Sequence, residues 1–428
     1  MVVPVEWRHR ARIWLVFGIF AGMAAMGCSR RAFAAAADED MTAATDASAA
    51  GDSFKVFVAD QETYDSNLYR LPESTVDLAT LVSPRASREE RINTPSIGVN
   101  ANWVYGRQAV SVDLDAEDNL FSRNTALNNI SGSGRLQWDW RVGEQLSGRV
   151  GADYDRSMAN FAESRYLGKD LLDVMKYFAS GRFQLGPRWA VYAGGADSTS
   201  RHSAVAARYN DTDVKTGKMG IESAMGADDT IALEYRYADA RFPAGYLFNG
   251  AAFDRTYHET TTRLLIKYAL SGKTFLDANA GYLRHDYPNA GFGAFSGDIW
   301  RVSLRWLPTE KTQFTFAGWR QLQAYLYSQS DYFLSKGGSV TPTWSPTEKI
   351  TLSLSASWED QNYSGFSTSA ISLGYRRDKL NAQQATLVYT ATQSLKFDVS
   401  YRYERRKSNI SVFSYNDKLV NAAVKLEF

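Results

Sequence analysis

From Phe54 onward every second side chain is apolar, in runs of about ten residues set off by tight turn signals about every forty residues. After Ser394, Leu395, Phe397, Val399, Tyr401 and Tyr403 alternate with Lys396, Asp398, Ser400, Arg402 and Glu404. After Gly134, Leu136, Trp138, Trp140 and Val142 alternate with Arg135, Gln137, Asp139 and Arg141. After Lys349, Ile350, Leu352, Leu354, Ala356 and Trp358 alternate with Thr351, Ser353, Ser355, Ser357 and Glu359. Period two means strands with one apolar and one polar face. A soluble antiparallel sheet with one wet face shares that period, so other features must decide where the apolar face points.

The turn signals are Tyr105-Gly106-Arg107, Gly143-Glu144, Gly186-Pro187, Gly226-Ala227-Asp228, Ser271-Gly272-Lys273, Pro308-Thr309-Glu310-Lys311, Pro346-Thr347-Glu348-Lys349 and Gln393-Ser394. Between the hairpins lie longer polar or Gly-rich stretches at Leu68–Arg91, Ala159–Leu171, Phe242–Phe253 and Ser364–Asp378. Short turns on one side and long loops on the other describe an outer-membrane barrel. Eight hairpins, one strand near Phe54–Tyr64 and a last strand give about eighteen strands, with sixteen and twenty as the neighbouring counts. An even number puts both ends on the short-turn, periplasmic side. One repeat stands out: Arg305–Thr312 echoes Thr343–Ile350, and in both a Trp precedes a Pro-led turn. A second echo pairs Glu234–Ala238 with Ser400–Glu404, and both look like hairpin duplication.

The N-terminus reads as an export signal, with Arg8, Arg10 and Arg12 ahead of the apolar stretch Ile13 to Met26 and a small-x-small site at Ala32-Phe33-Ala34. Cys28 carries a rival reading as a lipid-modified cysteine, although Ala25 stands where such signals favour Leu. We expect residues 1–34 to be a signal peptide, 35–53 a flexible periplasmic leader, and 54–428 the barrel. Cleavage after Ala34 removes five Arg and one Glu, which takes the net charge from +1 to about −3 and leaves no cysteine. No basic cluster points to nucleic acid.

Mean hydropathy is −0.35, the value of a water-soluble protein, yet aromatics make up 13% of residues, with 24 Tyr and 11 Trp. Barrels combine these traits because only alternate residues face lipid and aromatics gather at the interfaces. The last strand agrees. Val420, Ala422, Val424, Leu426 and Phe428 share one parity, and Asn421, Lys425 and Glu427 the other. A closing Phe resembles the signal that outer-membrane barrels present to their assembly machinery, with Val424, Leu426 and Phe428 carrying it here. Lipid-facing Arg or Lys would cost roughly 2–4 kcal/mol each at the midplane, so the polar parity must face a lumen.

Catalysis finds little support. His9 leaves with the signal, and His202, His258 and His285 sit in no motif that supplies nucleophile, orienting partner and oxyanion hole together. Arg284-His285-Asp286 offers a base beside an acid, but strand neighbours point to opposite faces. No clustered His/Cys set offers a transition-metal site, and no cofactor is expected. Asp113, Asp115 and Glu117 form an acidic column on one face, with Asp153 and Asp155 as a shorter one. Ca²⁺ would need about six oxygens in a loop geometry. Pairing with Arg135, Arg141 and Arg149 on nearby strands is the plainer expectation. Around the inferred interior Arg236, Arg263, Lys267, Arg301, Arg305 and Arg402 face Glu222, Glu234, Asp277, Asp398 and Glu404. An ion-selective pore would show one sign, whereas mixed charges with hydroxyls and aromatics suit a hydrated, polyhydroxylated cargo. The candidate cargo contacts are Arg135, Asp139, Arg141, Asp113, Asp115, Arg236, Glu234, Arg402 and Glu404.

The segment Tyr64-Asp65-Ser66-Asn67-Leu68-Tyr69-Arg70-Leu71 resembles the opening of outer-membrane β-barrel proteins from exopolysaccharide operons, the EpsL-like branch of the second β-barrel porin family. The resemblance implies a conduit or accessory for a secreted polysaccharide. Its partners would be exopolysaccharide, outer-membrane lipid, the barrel-assembly machinery and periplasmic export proteins that bridge the gap. Asn67 and Arg70 are expected either to hold the first long loop or simply to end the strand. An uptake porin for small solutes and a plugged barrel that docks export partners remain open beside that conduit.

Overall fold

In a computed structural model of the chain, the described residues are 51–75, 86–163, 166–226, 229–248, 251–288, 294–327, 330–364 and 376–428. The expected signal peptide, Cys28 and nearly all of the expected leader lie outside them, as do Ala227, Asp228 and most of the Ser364–Asp378 stretch.

The chain opens with β1 (Ser53–Asp65), β2 (Glu90–Tyr105), β3 (Gln108–Phe121), β4 (Asn129–Val142) and β5 (Leu146–Met158). Next come β6 (Leu171–Gln184), β7 (Trp189–His202), β8 (Thr212–Ala224) and β9 (Thr230–Arg241). A short pair, β10 (Tyr246–Phe248) and β11 (Ala251–Phe253), decorates a loop. Then follow β12 (Tyr257–Ser271), β13 (Thr274–Asp286), β14 (Phe295–Thr309), β15 (Thr312–Tyr327) and β16 (Ser330–Thr347). The last four are β17 (Ile350–Ser364), β18 (Arg377–Thr390), β19 (Leu395–Ser408) and β20 (Tyr415–Glu427). Eighteen strands form one antiparallel sheet. It closes where β1 pairs with β20, from Phe57 opposite Glu427 to Asp65 opposite Leu419. Phe428 finishes the seam: its N–H donates to the Val56 carbonyl at 2.8 Å and its carbonyl accepts from Val56 N–H at 3.2 Å.

All eight sequence-marked turns fall at one end of the barrel, which we call the turn end. Gly106 and Gly143 adopt φ of 61° and 62° there, the left-handed conformation that tight hairpins require. Loops of varied length occupy the opposite, loop end.

The two faces are inverted relative to a soluble protein. Leu136, Trp138, Val150, Leu387, Val399, Tyr401 and Val424 are exposed on the outside. Glu234, Asp139, Arg149, Ser400, Asn421 and Lys425 are buried on the inside. A closed sheet has no edge and satisfies every ladder group itself, so an apolar exterior of this kind belongs in lipid.

Glycines are set opposite aromatic residues in the register. Gly98 faces Phe57, Gly151 faces Phe178, Gly220 faces Tyr192 and Gly337 faces Trp319 on the inner wall. A Cβ at Gly98 would stand 2.4 Å from the Phe57 ring and 2.6 Å from the Leu114 carbonyl. The rings therefore lie flat against the wall instead of projecting across the lumen.

Candidate functional site

At the loop end, the described part of the first long loop is fastened to the first and last strands. Asp65 ends β1, and its carboxylate accepts from the Asn67 N–H at 2.8 Å, which turns the chain inward. Asn67 then donates its amide to the carbonyls of Leu71 and Asn416, at 2.8 and 2.9 Å. Arg70 takes a left-handed φ of 53°, unusual for a side-chain-bearing residue. That conformation aims its guanidinium at both Asp65 (2.9 Å) and Asp417 of β20 (3.1 Å). Burial by itself would lower the proton affinity of Arg70, but the carboxylates of Asp65 and Asp417 outweigh it and raise it. The loop is thus locked to the first and last strands at once, the first of the two roles expected for Asn67 and Arg70.

Beside this lock, Leu68, Tyr69 and Leu71 pack with Ile92, Phe121, Leu127 and Phe161. Tyr69 lies 5.0 Å from Phe161 between ring centroids and donates its hydroxyl to Asn124 at 3.0 Å. Its burial, then the nearby Glu90 charge, push its phenol up to about 12. Phe161 belongs to the loop after β5, whose Ala162 carbonyl accepts from Arg406 of β19 at 2.8 Å. Strands β5 and β19 lie far apart around the ring, so this bond is a chord across the mouth. Beneath it, Arg70, Asn160, Ala162, Arg402, Glu404, Asp417 and Leu419 line a cavity of about 30 Å³.

The other candidate contacts also fall on the inner-facing parity, and most are bonded to side chains outside the candidate set. Asp139 accepts from Arg149 at 2.6 Å and from Gln137 at 2.7 Å. Glu234 accepts from Arg263 at 2.6 Å and from Tyr192 at 3.1 Å. Arg236 stands 3.8 Å from Glu259. Arg402 pairs with Glu404, which also accepts from Tyr415 at 2.5 Å. The shorter acidic column meets one of its expected partners, whereas the longer one meets other residues. Arg135 pairs with Asp153 at 2.7 Å, although Asp113 is its register neighbour on β3. Asp113 instead accepts from Asn100 at 2.7 Å, and Asp115 from Ser133. Arg141 is exposed beside its turn. Among the described residues no group of three or more His, Cys, Asp or Glu converges as metal ligands would.

The histidines are placed structurally. His285 lies 2% exposed among Tyr257, Tyr287 and Tyr332, while Arg284 and Asp286 pair with each other at 2.5 Å on the opposite face. A His–Asp contact that the sequence did not suggest joins His202 to Asp170 at 2.7 Å. Asp170 also accepts from the Ala204 N–H at 3.0 Å, so it ties two loops together. Loop-to-loop pairing of this kind leaves no periodic signal to read.

Comparison with known proteins follows this geometry. The family model described as "Putative beta-barrel porin 2" matches residues 266–428, from within β12 to the last residue. No curated protein matches the chain. Among solved structures, a BenF-like porin from Pseudomonas fluorescens Pf-5 superposes with a TM-score of 0.50 at 11% identity, covering 88% of this chain and 99% of that one. OpdQ of Pseudomonas aeruginosa gives 0.49 at 9%, covering 88% and 98%. At such identities the likeness is one of fold. The chain shares the architecture of an outer-membrane porin, and its last nine barrel strands carry the similarity to the β-barrel porin family.

Proposed function

We propose that the chain is a non-catalytic channel of the outer membrane that passes a hydrated glycan during exopolysaccharide export. The observation that carries this reading is the sign-matched inner wall, where Asp139–Arg149, Glu234–Arg263, Arg182–Glu222 and Arg402–Glu404 neutralise one another. A ring of one sign would select small ions. Paired charges, amides and hydroxyls instead offer exchangeable hydrogen bonds to sugar hydroxyls, and half-buried Tyr192 and Trp319 add apolar faces. Gating falls to the first loop and the loop after β5. Periplasmic export proteins would deliver the polymer. The test is secretion in a strain carrying Arg236→Ala with Arg402→Ala: polymer output falls while the barrel still assembles, and unchanged output removes these two residues from the pathway.

A second reading, an uptake porin for small solutes, is favoured by one feature. The Arg406–Ala162 chord and the Arg70 lock narrow the mouth, which suits compact solutes better than a chain polymer. A deletion strain separates the two. Loss of polymer supports export; intact polymer with slowed uptake of small sugars or acids supports the porin.

A further inference from the structure

The lipid-facing rim of the loop end is not uniform. Around most of it, outward cations are paired with carboxylates: Arg156–Asp173 at 3.4 Å, Arg241–Asp239 at 2.9 Å, Arg284–Asp286 at 2.5 Å, Arg320–Asp298 at 3.2 Å, and Arg201–Asp213, with Arg91 of β2 and Lys336 of β16 as isolated exceptions among the described residues. On β18, β19 and β20 the pattern breaks. Arg377, Lys379, Arg405, Lys407 and Lys418 are all exposed. Their chain neighbours Asp378, Arg406 and Asp417 are buried in the lumen, so the five side chains point outward. None has a carboxylate within ion-pairing distance among the described residues. Lys379 stands directly opposite Lys407 in the register, an arrangement that costs stability unless an anion lies between them. Asp360 flanks Lys379 on β17 and is the one outward acid in that row.

The height of this patch is as informative as its charge. Below it the outward columns of β19 and β20 turn apolar at once, through Tyr401, Val399 and Phe397 and through Val420 and Val424, while on β18 Asn381 and Gln383 precede Leu387. The cations therefore stand at the edge of the hydrocarbon band, on the long-loop side, level with the headgroups of the outer leaflet. A solvated face needs no such placement. Lysine ammoniums interleaved with arginine forks across neighbouring strands match the charge of a phosphorylated group.

We propose that the outer rim of β18–β20 binds the phosphorylated headgroup of an outer-leaflet glycolipid, with Lys379, Arg405 and Lys407 at its centre. The site is independent of what passes through the lumen. It gives the barrel one preferred lipid-facing side, next to the seam between β20 and β1.

The test uses the full chain in nanodiscs of neutral phospholipid doped with bis-phosphorylated lipid A or with its phosphate-free form, read by native mass spectrometry. The wild type retains the phosphorylated lipid and releases the phosphate-free one. Lys379→Gln, Arg405→Gln and Lys407→Gln together weaken retention roughly a hundredfold, the effect of removing three surface cations. Lys379→Arg with Lys407→Arg preserves it, and so does neutralising Arg156, Arg201 and Arg241 on the paired side. Heat-modifiable gel migration verifies that each variant is folded. Equal retention of both lipids, or undiminished retention by the triple variant, overturns the proposal. So does a detergent-stable dimer that the triple variant loses, because the patch would then dock a second copy of the chain.

Discussion

The two ends of the barrel treat the same chemistry differently. Along the inner face of β3, Asp113 near the turn end is exposed, Asp115 and Glu117 are half-buried, and Asn119 near the loop end is 2% exposed. At the turn end Lys55 and Glu427 pair with side chains 55% and 10% exposed, and midway along the wall Arg135 and Asp153 pair at 48% and 22%, although Asp139 and Arg149 at an intermediate height are buried. At the loop end Asp65, Glu90 and Asp417 are 4%, 1% and 1% exposed, and each is held by several donors. Hairpin ends are set by two or three residues of local chemistry. The mouth is set by contacts between segments hundreds of residues apart, so its ion pairs hold loops in place while those below join residues of the barrel wall, some buried and some wetted.

That contrast is most exposed to failure at Arg70. Arg70→Ala strands two buried carboxylates and costs about 3–5 kcal/mol locally. We expect the first loop to become protease-sensitive and the single-channel conductance to rise. A protected loop with unchanged conductance would place the lock elsewhere. Next in size is Gly98→Leu, which drives a side chain into the Phe57 ring and the wall behind it. It should lower the unfolding temperature on unboiled gels by the equivalent of about 1–3 kcal/mol, whereas Gly217→Ala, with nothing within 4 Å of the added carbon, should leave it alone.

Tyr69 supplies a titration. Its phenol ionises near 10.0 in the unfolded chain and about 12 in the packed loop. Its contribution is therefore complete below pH 10 and lost as pH rises through about 12. Alkaline loosening of the first loop across that window should vanish in Tyr69→Phe, as followed by proteolysis at stepped pH. The smallest effect belongs to the exposed part of the wall below the mouth. Arg135→Ala breaks an exposed pair worth roughly 0.2–1 kcal/mol, so folding should be unchanged and only the ion selectivity of the pore should shift. A folding defect there would erase the distinction between mouth and wall.

Much of this molecule was legible in its alternation. The parity of Leu136 and Trp138 against Gln137 and Asp139 gave both faces of β4, and the eight turn signals placed every hairpin at one end. The strand count followed from them. What alternation cannot carry is which inner charge meets which, because strand stagger and side-chain reach choose among several neighbours. Arg135 therefore passes Asp113 by and takes Asp153. The Tyr64–Leu71 opening left Asn67 and Arg70 as either holders of the first loop or a plain strand end, because a left-handed Arg between Asp65 and the distant Asp417 is a tertiary device that local sequence does not show. The chord from Arg406 to Ala162 and the His202–Asp170 contact left no periodic trace, and neither did the glycines lying under aromatic rings across the strand.

The account rests on a sign-matched lumen, narrowed at its mouth, through which a glycan moves. Single-channel conductance in planar bilayers, with and without the host's purified exopolysaccharide, tests this most directly. We predict open channels of weak ion selectivity that the glycan blocks reversibly, with longer blocks in the wild type than in Arg236→Ala with Arg402→Ala. Open channels indifferent to the glycan would contradict the export reading and favour a small-solute porin; silent membranes would mean a plugged barrel that docks other proteins.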